Sequence, residues 1–140
     1  DKEELPYSLS KCCTPIAGDK VFGFVTINEG IKVHRHDCPN SLSLQSNFAY
    51  RVLPAWWVDS SEQQFNAKLK LSGIDQTGLV NQVTRVISNN MNVDIFKLNF
   101  DSEEGLFNGS ISVGIKNSVT LDKLVNNLLK INGIEKVTRE

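Results

Sequence analysis

From Phe65 to Leu71 apolar and polar side chains alternate without a break: Phe65, Ala67, Leu69 and Leu71 against Asn66, Lys68 and Lys70. A period of two fits a strand with one face in a core and the other in water. The period then changes. Leu79, Val80, Val83, Val86 and Ile87 recur at helical spacing, with Asp75 or Thr77 placed to cap. Phe96, Leu98 and Phe100 return to alternation on one side of a second strand. Glu104-Gly105 offer a tight turn, after which Phe107, Ile111, Val113 and Ile115 face one way and Asn108, Ser110 and Ser112 the other. A second helical stripe follows in Leu121, Leu124, Val125, Leu128 and Leu129, capped by Thr120 and stopped by Gly133, and "IEKVTR" closes as a strand. The order is βαββαβ, the ferredoxin-like pattern, with one sheet face under two helices and the other partly polar.

The first part of the chain is patterned more weakly. "DKVFGFVTI" and "GIKVHR" are β-rich on either side of Asn28-Glu29-Gly30, a three-residue hairpin loop. "CPNSLSLQS" suits one short helix with Pro39 in its first turn, and "YRVLPAWWV" a third strand interrupted at Pro54. "VDSSEQQ" (Val58 to Gln64) is polar and reads as a linker. The expected organisation is α+β: a small β-rich cysteine-containing domain over 5–57, a linker over 58–63, and a βαββαβ domain over 64–140. A first domain of about 55 residues buries little and would welcome a staple.

Composition narrows the function classes. No run of about 18 uncharged apolar residues exists, so nothing is expected to span a membrane. The start "DKEELPYSLS" is charged and unlike a signal peptide, and the absence of an initiator Met reads as a piece of something longer. Three cysteines, an odd number, suit a reducing compartment, so a cytoplasmic location with free thiols is expected. The net charge is −1: residues 1–60 carry six basic and seven acidic side chains, residues 61–140 nine of each. Tight nonspecific binding to nucleic acid needs a basic excess that this chain lacks, so any RNA contact must be local.

All three cysteines and both histidines fall between Lys11 and Cys38. Cys12, Cys13, His34 and Cys38 combine thiolate and imidazole donors, which suits Zn²⁺. A helix beginning at Cys38 would favour its thiolate. The usual CxxC knuckle is absent, however, and neighbouring extended residues point apart, so Cys12 and Cys13 reach one ion only through a turn. Thiols buried as small apolar groups are the plainer reading. A Cys nucleophile with His34 or His36 as base and Asp37 as orienter is the third. "KVHRH" is the densest cationic patch; Lys32, Arg35 and His36 with Lys11 can sit against RNA phosphates, or simply guard a strand edge. Trp56-Trp57 offers stacking surface or core. Gly78, at the first turn of a helix beside Asp75 and Leu79, either opens that turn to a carboxylate such as an amino acid's or serves tight packing.

"KCCTPIAGDKVFGFVTINEGIKVHRHDCPN" resembles the cysteine segment of Rel/SpoT-type enzymes, which make and degrade the alarmone (p)ppGpp in the bacterial stringent response. "GIDQTGLVNQVTRVISNNMNVDI" resembles the start of the ACT domain that follows it in those enzymes. The resemblance implies a non-catalytic regulatory region, with hydrolase and synthetase domains upstream. It implies a zinc-finger-like, ribosome-intersubunit segment in which Cys12, Cys13, His34 and Cys38 match the family positions. It further implies contact with the ribosome, its RNA and tRNA, relay of amino-acid starvation to the catalytic domains, and an ACT module that forms homodimers and binds an amino acid, for some relatives a branched-chain one, near Gly78.

Overall fold

The structure, a computed structural model, describes residues 7–58 and 63–140. The expected linker 58–63 therefore lies mostly outside the described residues. The chain divides into two compact units, Asp1–Ser61 and Glu62–Glu140.

In the first unit a four-stranded sheet has the order β1-β3-β2-β4, built from β1 (Tyr7–Leu9), β2 (Val21–Val25), β3 (Ile31–Arg35) and β4 (Val52–Pro54). The three-residue β1 carries no periodic pattern and was not foreseen; it pairs parallel to β3. β2 and β3 pair from Val21↔Arg35 to Val25↔Ile31, so their connection is the five residues 26–30, longer than the three expected. Thr26 closes it by hydrogen bonds to Gly30, which takes φ +73°. α1 (Ser41–Asn47) begins after Asn40, which leaves Pro39 outside the first turn where it was expected. A 3-10 turn, Ala49–Arg51, follows. Arg51 then clamps this connection to the sheet: its Nε donates to the Val25 carbonyl at 2.8 Å and its guanidinium lies 4.9 Å from the Phe24 ring centre. The core is small, with Cys13, Ile16, Val21, Phe22, Phe24 and Cys38 as its buried apolar members.

The second unit is the βαββαβ layer structure that the periodicities imply. β5 (Phe65–Ile74), β6 (Asp94–Glu103), β7 (Leu106–Ile115) and β8 (Ile134–Arg139) form an antiparallel sheet ordered β6-β7-β5-β8. Phe65, Ala67 and Leu69 are buried with Ile115, Val113 and Ile111 opposite them in register, and Leu71 and Phe107 are buried opposite Gly109 and Gly73. Leu79, Val83 and Ile87 from the first helix and Leu121, Leu124 and Leu128 from the second are buried as well. Glu104 (φ +55°) and Gly105 (φ +80°) make the two-residue turn between β6 and β7.

Five local expectations are corrected. The first helix, α2 (Leu79–Thr84), continues into a π-helical segment, Arg85–Asn90; Val80 is exposed, so the buried stripe is narrower than the sequence suggests. Its N-cap is Gly78 at φ +78°, and neither Asp75 nor Thr77 caps it. α3 (Ser118–Leu129) is capped by Asn117, whose side chain accepts the Thr120 N–H at 2.8 Å, so Thr120 is the capped residue and not the cap. Leu129 is exposed, and the helix has ended at Lys130 before Gly133 makes the turn into β8. Phe96 departs from Leu98 and Phe100: a bulge between Ile95 and Lys97 turns it to the open face, against Gly114.

Candidate metal centre and ligand hollow

The cluster is assembled by two turns flanking the β2–β3 hairpin. After β1 the chain turns through Lys11–Cys13, with Thr14 N–H on the Ser10 carbonyl at 3.0 Å and Thr14 at φ +42°. That turn brings the adjacent Cys12 and Cys13 sulfurs to 3.9 Å, where an extended backbone would have pointed them apart. The following loop is pinned: Ile16 is fully buried, its N–H is held by the Asp19 carboxylate at 2.8 Å, and Trp57 Nε1 donates to the Asp19 carbonyl at 2.9 Å. Trp57 is thus half-buried and occupied structurally, while Trp56 is exposed. The second turn follows β3. Cys38 N–H reaches the Arg35 carbonyl at 3.1 Å, which folds Cys38 back towards His34.

Cys12 Sγ, Cys13 Sγ, His34 Nδ1 and Cys38 Sγ all lie within 4.8 Å of one another. Cys12 Sγ is 3.3 Å from Cys38 Sγ and 3.4 Å from His34 Nδ1; Nδ1 is 4.0 Å from Cys13 Sγ and 3.9 Å from Cys38 Sγ. Donors at zinc bond lengths in a tetrahedron stand about 3.5–3.8 Å from one another. The four atoms therefore sit close enough to hold a metal ion, and three sulfurs with one imidazole suit Zn²⁺. The imidazole is fixed by stacking on Phe22 (5.5 Å, 16°) and by the edge of Phe24.

The shifts of Cys12 and Cys38 run in opposite directions, and the imidazole is held neutral. Burial pushes the Cys38 thiol up to about 12, the Cys12 and Cys13 sulfurs add to the rise, and the Asn40 backbone N–H works against it. Helix α1 does not stabilise a Cys38 thiolate as expected, because it begins at Ser41, past Pro39 and Asn40. At Cys12, burial would raise the thiol, but hydrogen bonds with Ser10, Cys38, Asn40 and Cys13 outweigh it and bring the group below its ordinary value. Burial first, then the charge of Lys32, lowers the His34 pKa, which keeps the ring neutral and able to donate a lone pair. A divalent cation is the ingredient that would convert the thiols to thiolates.

Sequence reasoning missed the supporting groups. Ser10 Oγ lies 3.0 Å from Cys12 Sγ, and the Arg35 backbone N–H donates to Cys13 Sγ at 3.3 Å. A polar residue two positions before Cys12 was the only available signal for the first; the second is a backbone contact with none. The proposed cationic patch is also rearranged. Lys11 and His36 are exposed, and Lys32 is partly exposed, 3.0 Å from Ser8 Oγ and 3.5 Å from Glu29. Arg35 lies 3.4 Å from the Asp37 carboxylate and is buried to 4% exposure, so it is not displayed with the other three.

In the second unit Asp75, Gly78 and Leu79 line one open hollow of about 400 Å³, together with Asp101, Ser102 and Phe107 among others. A Cβ on Gly78 would meet nothing within 4 Å, so glycine is there for its positive φ and not for close packing.

The sequence profile of the ACT domain matches residues 61–139, and that of the RelA/SpoT RIS domain matches residues 1–57. The chain belongs to the RelA/SpoT family. Its two units are the RIS and ACT domains of that family's regulatory region, and no catalytic domain is among the matches. The chain is 27% identical over 138 residues to a GTP pyrophosphokinase of Haemophilus influenzae, covering 98% of this chain and 19% of that protein. It is 40% identical over 80 residues to the bifunctional (p)ppGpp synthase/hydrolase RelA of Mycobacterium tuberculosis, covering 57% and 11% respectively. The chain thus spans about a fifth or less of the length of these relatives. The crystal structure of the ACT domain from the GTP pyrophosphokinase of Chlorobium tepidum superposes with a TM-score of 0.52 at 29% identity, over 56% of this chain and 100% of that one. No helix among the described residues is long and apolar enough to cross a membrane.

Proposed function

We propose that this RIS–ACT pair is the non-catalytic regulatory part of a (p)ppGpp synthetase/hydrolase, with domains over 5–57 and 64–140 and a linker over 58–63. It works in the cytoplasm, contacts the ribosome, its RNA and tRNA, and relays amino-acid starvation to upstream catalytic domains. The observation that carries this reading is that the RIS and ACT matches, 1–57 and 61–139, take up almost the whole chain in the family's order. Within it, Cys12, Cys13, His34 and Cys38 hold one zinc ion that braces the RIS domain. Lys11, Lys32 and His36 meet RNA phosphates, while Arg35 supports the turn behind them. Elemental analysis of chain purified without chelator should return one zinc per molecule. Ribosome co-sedimentation of the full-length protein should weaken when Lys11, Lys32 and His36 are replaced by Ala, with the catalytic domains still folded; unchanged association would remove the patch.

A second reading concerns the ACT domain, and the open hollow over Asp75, Gly78 and Leu79 favours it. A branched-chain amino acid bound there, with its ammonium near the carboxylates of Asp75 and Asp101, would sense supply directly in a homodimer. Ligand that binds only the folded state raises the melting temperature. No shift with millimolar leucine, isoleucine or valine rejects the sensor, and a strict monomer in sedimentation at high concentration rejects the dimer.

A further inference from the structure

We propose that Cys12 and Cys38 are a peroxide-oxidisable pair that closes to a reversible disulfide and so dismantles the four-donor cluster. Of the three thiols Cys12 alone is exposed, while Cys13 and Cys38 are 0% and 4% exposed. Cys12 is therefore the sulfur that a small hydroperoxide meets first. Its nearest sulfur is Cys38 Sγ at 3.3 Å, against 3.9 Å for Cys13 Sγ. A disulfide needs about 2.05 Å, a shift that two side chains on turns can supply. The adjacent pair is excluded by geometry, because Cα atoms about 3.8 Å apart fall short of the ~4.4 Å a disulfide usually needs. Cys13 is also held in place by the Arg35 N–H at 3.3 Å.

The chemistry takes two steps. Cys12 Sγ attacks one oxygen of hydrogen peroxide and the O–O bond breaks; Cys12 becomes a sulfenic acid, and the thiol proton leaves with the other oxygen as water. Cys38 Sγ then attacks the Cys12 sulfur and the S–O bond breaks. The departing hydroxide takes the Cys38 proton as a second water. Two thiols lose two electrons and the peroxide gains them. Cys13 and His34 alone then remain as donors, too few for a closed zinc site. The disulfide does not require a metal to be present beforehand. Only the accompanying release of metal rests on the zinc reading.

The test titrates the full chain, as purified, with hydrogen peroxide, and follows intact mass, thiol alkylation and free zinc by a chelating dye. The expected product has lost two hydrogens and keeps one alkylatable thiol, Cys13. A fragment map should join Cys12 to Cys38, and dithiothreitol should reverse the change. Cys13→Ser should still close the bond; if that variant does not fold, the map of the unmodified chain decides. Oxygen retained on Cys12, a bond to Cys13 or between chains, or no reaction in excess peroxide overturns the proposal. A disulfide formed by protein that held no zinc at the start supports it and overturns the zinc reading instead.

Discussion

The two domains bury polar groups by opposite strategies. In the ACT domain the sheet separates the two kinds of side chain by face, so Phe65, Ala67, Leu69 and Leu71 meet an apolar layer while Lys68 and Lys70 stay on the open side. The RIS domain has too few large apolar residues for such a layer, and places His34, Cys13 and Cys38 inside instead. Periodicity organises one domain; donor atoms that converge closely enough to hold an ion mark the other. The lesson is that a small domain can replace missing apolar area with a few strong bonds at its centre.

The sharpest test of this contrast is removal of the proposed zinc ion. Zinc held by thiolate and imidazole in small domains is worth about 10–16 kcal/mol, more than such a domain's whole stability. Chelation, or Cys38→Ser, should therefore abolish amide protection across β2 and β3 and leave that of β5 and β7 intact. Hydrogen exchange read by fragment mass measures both at once, and equal protection with and without chelator would dissolve the distinction.

The reverse experiment is smaller. Leu124 is fully buried under the ACT sheet. Leu124→Ala should cost about 2–5 kcal/mol in the ACT unfolding transition, with the metal content of the RIS domain unchanged. Calorimetry with elemental analysis checks both halves. Glycines sharpen the same domain further. A Cβ on Gly73 would run into the Gly133 carbonyl, whereas a Cβ on Gly78 meets open space. Gly73→Ala should cost up to about 3 kcal/mol through displaced backbone. Gly78→Ala should cost about 1–2 kcal/mol, from the left-handed φ alone.

How much of this was legible follows the same division. The ACT layers could be read because alternation at β5 and β7 and the leucines of α3 report burial directly. Phe96 escaped because a bulge shifts the face without changing the residue types. In the RIS domain the four donors could be named but not brought together, since their convergence depends on the turn at Lys11–Cys13 and on Thr14 at φ +42°. Nothing in the local sequence announces that conformation. Arg35 misled for a related reason: its charge suggests exposure, while its position at the end of β3 sets it in the fold beside Asp37.

The smallest predicted effect isolates what a cap looks like in sequence and what it is in space. Asn117 and Thr120 are both acceptable capping residues, and the sequence alone favoured Thr120 because it directly precedes the leucine stripe. Asn117 Oδ1 instead accepts the Thr120 backbone N–H, one of the four donors that the first turn of α3 leaves without intrahelical partners. Asn117→Ala removes that acceptor and should lower ACT stability by about 1 kcal/mol. Thr120→Ala leaves the N–H and its acceptor in place, and should fall within about 0.5 kcal/mol of the starting protein. Urea unfolding of both variants gives the comparison directly. If Thr120→Ala were the costlier change, Thr120 would be the cap and α3 would begin three residues later than Asn117 places it.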